Sequence, residues 1–198
     1  MAPLWPYVTP GIPDHLFEQL PGIPMSQREV RLALLSALRL GPKEVLWDIG
    51  AGTGTITIEA ALLCPKGLIV AVERDQDVAT LIQKNCQLFG VKNVDVVVGN
   101  APNCFEGLSH VPNSILIEGG RDLKPLLAEA WNKLATNGRL VATAGNFQSL
   151  YAISECFADL HVRNIEVVQT GGSRLETRGS HQVLKPIVPT FILSGEKF

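Results

Sequence analysis

The sequence predicts an α/β fold, a mostly parallel sheet covered by helices on both faces. Apolar runs of strand length recur along the chain, separated by helix-length segments with apolar residues at helical spacing. The strands are apolar nearly throughout instead of alternating, the pattern of a sheet buried on both sides. With 198 residues, 46% hydrophobic and 18% charged, the chain is expected to form one domain spanning residues 1–198.

The first 25 residues hold six prolines and little periodicity, so they are expected to form an ordered arm. Ser26-Gln27-Arg28-Glu29 matches a capping box, which predicts a helix from there to about Leu40, stopped by Gly41-Pro42. VLWDI (45–49) reads as a strand and residues 54–63 as a helix ended by Pro65. LIVAVE (68–73) is the second strand, and Asp75 and Gly90 are placed to cap the next helix at its two ends. VDVVVG (94–99) and SILIE (114–118) read as strands, 122–134 as a helix, GRLVATA (138–144) as a strand and about 146–158 as a helix. HVRNIEVVQ (161–169) and PTFILSG (189–195) complete seven strands. No helix-sized segment separates these last two, so they are expected to pair antiparallel through a long hairpin over 170–188.

A formal net charge of −2 provides no global attraction to nucleic acid or to an acidic membrane, and neither is expected as a partner. No apolar run approaches the roughly 20 residues of a membrane span, and the N-terminus does not read as a signal peptide. A cytoplasmic location is expected. Cys64, Cys86, Cys104 and Cys156 are scattered without CxxC or metal-ligand spacing, and read as reduced thiols with no metal.

The stretch DIGAGTG (48–54) carries the functional signal. Glycine lets a ligand lie against the main chain, and Gly50, Gly52 and Gly54 follow the first strand, where doubly wound sheets bind ligands. A dinucleotide fingerprint needs its third glycine one residue later, and a phosphate loop needs Gly-Lys-Ser/Thr; neither pattern is present. Glu73, ending the second strand, can accept both hydroxyls of a ribose. Asn100-Ala101 follows the third strand, where a side-chain amide can read an adenine edge. Singly, Asp48 and Glu73 read equally well as ordinary strand-end carboxylates and Asn100 as a turn former. Taken in order, D-x-G-x-G-x-G, a strand-ending acid and Gly-Asn-Ala resemble the motifs of S-adenosylmethionine-dependent class I methyltransferases. That resemblance implies a Rossmann-like sheet of seven strands with the last antiparallel. It also implies S-adenosylmethionine as cofactor, with its methionine portion and ribose over the glycines.

The acceptor must be read elsewhere. The [DN]-P-P-[FY] motif of base amino methylation is replaced by Glu118-Gly119-Gly120-Arg121, and only Asp122 is near enough to suggest a metal-dependent catechol site. GIPDHLFEQ (11–19), PMSQREVR (24–31), WDIGAGTGTITIEAA (47–61), AVERD (71–75), GNAP (99–102) and PTFILSGEK (189–197) resemble the decarboxylating C15-methyltransferases of cobalamin biosynthesis. Those enzymes act on precorrin-6B or its cobalt form and are the smaller component of precorrin-6Y methylases. The resemblance implies methylation at C15 with loss of the C12 acetate carboxylate. It further implies that Met25, Ser26, Gln27, Ala51, Gly54, Thr55 and Arg74 join Asp48, Gly50, Gly52, Glu73, Asn100 and Ala101 around the cofactor. A homo-oligomer, commonly a tetramer, and a companion C5-methyltransferase are implied as partners. Where many relatives end the fourth strand in apolar-Gly-Gly-Ser, this chain has Glu118-Gly119-Gly120-Arg121.

A corrin precursor is a broad macrocycle fringed with carboxylates, which suits arginine forks. Arg121, Arg174 and Arg178 are therefore the expected substrate-binding residues; a solvated charged hairpin is the alternative. Glu118 and His181 are candidate proton carriers, and neither is assigned as catalytic. An RNA methyltransferase on the same fold would need a basic surface, and a nonenzymatic S-adenosylmethionine-binding subunit would not need an acceptor loop.

Overall fold

The computed structural model describes residues 3–120 and 122–198. Its elements are α1 (Arg28–Leu38), β1 (Val45–Ile49), α2 (Thr55–Leu63), β2 (Leu68–Glu73), α3 (Gln76–Phe89), β3 (Val94–Val98), β4 (Ser114–Ile117), α4 (Leu123–Lys133), β5 (Arg139–Ala144), α5 (Phe147–Asp159), β6 (Arg163–Arg178) and β7 (His181–Glu196). The seven strands are ordered β3-β2-β1-β4-β5-β7-β6, and β7 runs antiparallel to both of its neighbours. Strand order reverses between β1 and β4, which pair in parallel from Leu46↔Ser114 to Ile49↔Ile117. The expected seven-stranded α/β fold is what forms.

Side chains of β1 divide by parity, as a pleated strand requires. Trp47 and Ile49 enter a core with Leu126, Leu127 and Ala130 of α4 and Ile153 and Phe157 of α5. Leu46 points the other way, into a core with Val30 and Leu34 of α1 and Ile56 and Ala60 of α2. Asp75 caps α3 as expected, its carboxylate accepting from the amides of Asp77 and Val78, and Gly90 closes that helix in the left-handed conformation.

The start of α1 departs from expectation. The capping residue is Gln27, without a side-chain cap, and the Ser26–Glu29 box does not form. Both members are engaged elsewhere: Ser26 Oγ donates to Glu118 at 2.7 Å, and Glu29 accepts from Nε and Nη2 of Arg174 at 3.0 and 2.5 Å. Charge-assisted bonds to distant partners outcompete the local amides. The Arg174 guanidinium holds the Glu29 carboxyl down at about 2.

The segment 170–188 forms the expected hairpin, with strands longer than the sequence suggested: β6 and β7 continue through it as a two-stranded ribbon that turns at Gly179-Ser180. A break in register between Thr170 and Gly172 marks where the ribbon leaves the body of the sheet.

The arm is ordered, as expected, and Arg31 explains why. This arginine is fully buried. Its Nε donates to Glu59 at 2.8 Å, and its terminal nitrogens donate to Asp14 at 2.7 Å, to the carbonyl of Ser26 at 2.6 Å and to that of Ile12. Ile12 and Phe17 pack with Ile58 of α2 and Phe89 of α3 in a small third core. Removing one member of a buried ion pair leaves the other charge unpaired, which costs about 3–5 kcal/mol. Arg31→Ala is therefore expected to lower unfolding free energy by that amount in urea titrations; a loss under about 1 kcal/mol would contradict it.

Candidate functional site

A cavity of about 930 Å³ opens at the carboxyl edge of the sheet, where strand order reverses. Gly50, Glu73 and Glu118 each stand at a strand end on this edge, and Asn100 follows β3 closely; all four line the cavity.

The glycine loop is shaped by what lies against it. Gly50 has φ +80°, and a Cβ there would stand 2.5 Å from the Glu118 carbonyl oxygen, so a side chain is excluded by both conformation and space. The amides of Gly50 and Ala51 both donate to the Val72 carbonyl, at 2.9 and 3.1 Å. Gly54, at φ +77°, begins α2 where a Cβ would meet Ile82. Glu73 braces the loop from β2: one carboxylate oxygen accepts from Gly52 N at 3.1 Å, the other from Arg74 N at 2.8 Å and Asp75 N at 3.1 Å. These amides fix the direction of a carboxylate that faces the cavity.

The other expected cofactor residues divide into two groups. Arg74 and Ala101 line the cavity with Gly50, Gly52, Glu73 and Asn100. Asp48 is buried beneath the loop, accepting from Thr57 Oγ1 at 2.5 Å, and burial pushes its carboxyl up to about 6. Thr55 is buried in the first turn of α2. In the arm, Pro24 and its neighbour Ile23 form part of the wall, whereas Met25 turns inward to the third core. Gln27 is drawn away to the ribbon, its side-chain oxygen accepting from Val188 N at 2.8 Å.

Glu118 is half-buried on the cavity wall directly after β4. Desolvation raises its carboxyl to about 7; the hydrogen bond from Ser26 and the charge of Arg31 act against this, and the charge of Asp48 adds to it. Past Glu118 the wall continues through Gly119, Asp122 and Leu126. On the same edge of the sheet, Phe147 and Tyr151 project from the first turns of α5 with 79% and 69% of their surface exposed, and Phe147 packs on Phe191 at 5.9 Å. Aromatic residues one helical turn apart and left in water were the available signal for this face, and α5 was read only as a helix.

Of the expected substrate arginines, Arg174 and Arg178 are not among the residues that line the cavity. Arg174 is committed to Glu29 and Asp14 and ties the ribbon to α1 and the arm. Arg178 lies beside the ribbon's turn, largely exposed, with Glu176 at 3.7 Å. His181 starts β7 opposite Arg178. The hairpin cations are carried by the extended ribbon, and Arg121 lies outside the described residues. Among the described residues no helix is long and apolar enough to cross a membrane.

Comparison with known proteins agrees with this geometry. Residues 17–197 match a family model described as a precorrin methyltransferase domain. A protein of Pyrobaculum calidifontis, named a probable cobalt-precorrin-6B C(15)-methyltransferase (decarboxylating), is 36% identical over 193 residues, covering 96% of this chain and 98% of the relative. The cobalt-precorrin-6B C(15)-methyltransferase (decarboxylating) of Salmonella typhimurium is 32% identical, covering 93% and 95%. The crystal structure of a precorrin-6y C5,15-methyltransferase from Geobacter metallireducens superposes with a TM-score of 0.88 at 29% identity, covering 95% of this chain and 98% of that one. The similarity thus runs along nearly the whole length, and the chain belongs to the precorrin methyltransferase family.

Proposed function

We propose that this protein methylates C15 of precorrin-6B or its cobalt form, using S-adenosylmethionine, with loss of the C12 acetate carboxylate as carbon dioxide. The observation that carries the reading is one continuous cavity joining the glycine loop to the end of β4. Near-full-length similarity to the Pyrobaculum and Salmonella proteins supports the choice of acceptor.

Gly50 and Gly52 provide the bare backbone against which the methionine portion and ribose lie, Glu73 accepts from the ribose hydroxyls, and Asn100 and Ala101 border the adenine. When bound, S-adenosylmethionine supplies a methyl group activated by a sulfonium. The chain's task is then alignment, which by itself accounts for much of the acceleration of a transfer between two bound reactants. Carboxylates Glu73, Glu118 and Asp122 around the cavity favour a cationic donor over its neutral product. The exposed rings of Phe147 and Tyr151 offer an apolar shelf on the open side, suited to a flat macrocycle.

The ribbon supports a homo-oligomer. Leu175, Leu184 and Val188 are each more than half exposed on it, and an isolated two-stranded ribbon is marginal in water. A second copy of this chain is the partner that symmetry favours.

Three outcomes follow. Glu73→Ala is expected to weaken binding of S-adenosylmethionine and S-adenosylhomocysteine by about 1.5–3 kcal/mol in calorimetry, and unchanged affinity would remove Glu73 from the ribose site. Light scattering of the purified protein at micromolar concentration is expected to give a mass of more than one chain; a monomer would refute the ribbon assignment. Incubation with precorrin-6B or cobalt-precorrin-6B and S-adenosylmethionine is expected to yield, by mass spectrometry, a product that has gained a methyl and lost carbon dioxide. Methylation of an RNA pool with no precorrin product would replace this reading with that of an RNA methyltransferase.

A further inference from the structure

We propose that Glu118 carries the proton that links methyl gain to carboxylate loss, a role that rests on the function proposed above. Three observations converge on it. Its carboxyl lies on the cavity wall, one residue beyond β4, and its own carbonyl oxygen touches the glycine loop at Gly50. It is therefore fixed beside the place where the methyl donor is held. Ser26 Oγ, from the arm, donates to its two oxygens at 2.7 and 3.3 Å, which orients the carboxyl while leaving further lone pairs for the cavity. Among the described residues no cation forms a salt bridge with it as Arg174 does with Glu29; Arg31 spends its donors on Glu59, Asp14 and two carbonyls.

The chemistry offers such a group two proton transfers. The acceptor carbon uses an electron pair of the conjugated ring to form its bond to the incoming methyl, and its hydrogen must leave as a proton. The bond from the acetate methylene to its carboxylate breaks, carbon dioxide departs without the bonding pair, and that pair enters the ring. The methylene must then take up a proton to become a methyl. One proton is released and one consumed, so a single group that gives and receives restores itself within a turnover. Glu118 is surrounded by Ser26 of the arm, Asp48 of β1 and Arg31 of α1, and shares the cavity with Glu73 and Asp122. Burial and the Asp48 charge hold its carboxyl at about 7, where the protonated and ionised forms are both populated at neutral pH.

The test is Glu118→Gln, which keeps the shape and an acceptor for Ser26 but transfers no proton, with Glu118→Asp as the conservative variant. With precorrin-6B or its cobalt form, kcat for formation of the methylated, decarboxylated product is expected to fall about 100-fold in Glu118→Gln with KM little changed, and to recover in part in Glu118→Asp. The parent rate is expected to show an inflection near pH 7 that the Gln variant lacks. Independently of turnover, infrared difference spectra of the protein alone are expected to show a protonated carboxyl band that disappears as pH rises through about 7, and that is missing in Glu118→Gln. A parent enzyme active on the precorrin and a Gln variant with the same rate and pH profile would overturn the assignment while leaving the function standing. A parent inactive on both precorrins would overturn the function, and this role with it.

Discussion

The buried guanidinium of Arg31 is the interaction on which the site's architecture depends. An arginine with no solvent contact must satisfy its donors inside the protein, and here they are shared among α2, the arm and the start of α1. Each partner is therefore pulled toward one point. The arm cannot leave without stranding a charge in a low-dielectric interior, so a proline-rich segment with little secondary structure becomes a wall of the cavity. Pro24 reaches the lining only because Ile12 and Ser26, on either side, are bonded to the same side chain.

From that fixed arm the electrostatics of the site follow. Ser26 reaches Glu118 just beyond β4, and Asp48 lies beneath the glycine loop, hydrogen-bonded by Thr57. Carboxyl groups held close together with few donors resist ionising, which raises both Asp48 and Glu118 above the ordinary range. Three backbone amides converge on Glu73, from Gly52, Arg74 and Asp75. Three acids at neighbouring strand ends thus take different parts: one braces the loop, one is sealed under it, and one faces the cavity where a proton has work to do.

The ribbon shows how a charged segment can mislead. Its arginines suggested a surface for anionic substrate, yet Arg174 meets two carboxylates of its own chain. An extended hairpin carries its charges wherever its register takes them, and here the register sets Arg174 against α1 and the arm.

By itself the sequence determined the layered architecture and the edge of the sheet at which Gly50, Glu73 and Asn100 meet. Hydrophobic period, Gly90 after α3, Asp75 before it and the bare loop at Gly50 are local signals, and local geometry obeys them. The three strand-end positions, Gly50, Glu73 and Asn100, were legible because parallel strands in register bring their carboxyl ends to one edge whatever else the chain does. Only the tertiary structure decided the fate of long polar side chains. Ser26 and Glu29 formed a good capping box on paper, and Arg174 a good substrate anchor. Each found a charged or hydrogen-bonding partner far away in sequence, at 92 residues for Ser26 with Glu118 and 145 for Arg174 with Glu29. No local pattern encodes such a meeting, because a flexible polar chain pairs with whatever the packed core brings within reach, and the charge-assisted bond is stronger than the neutral one beside it.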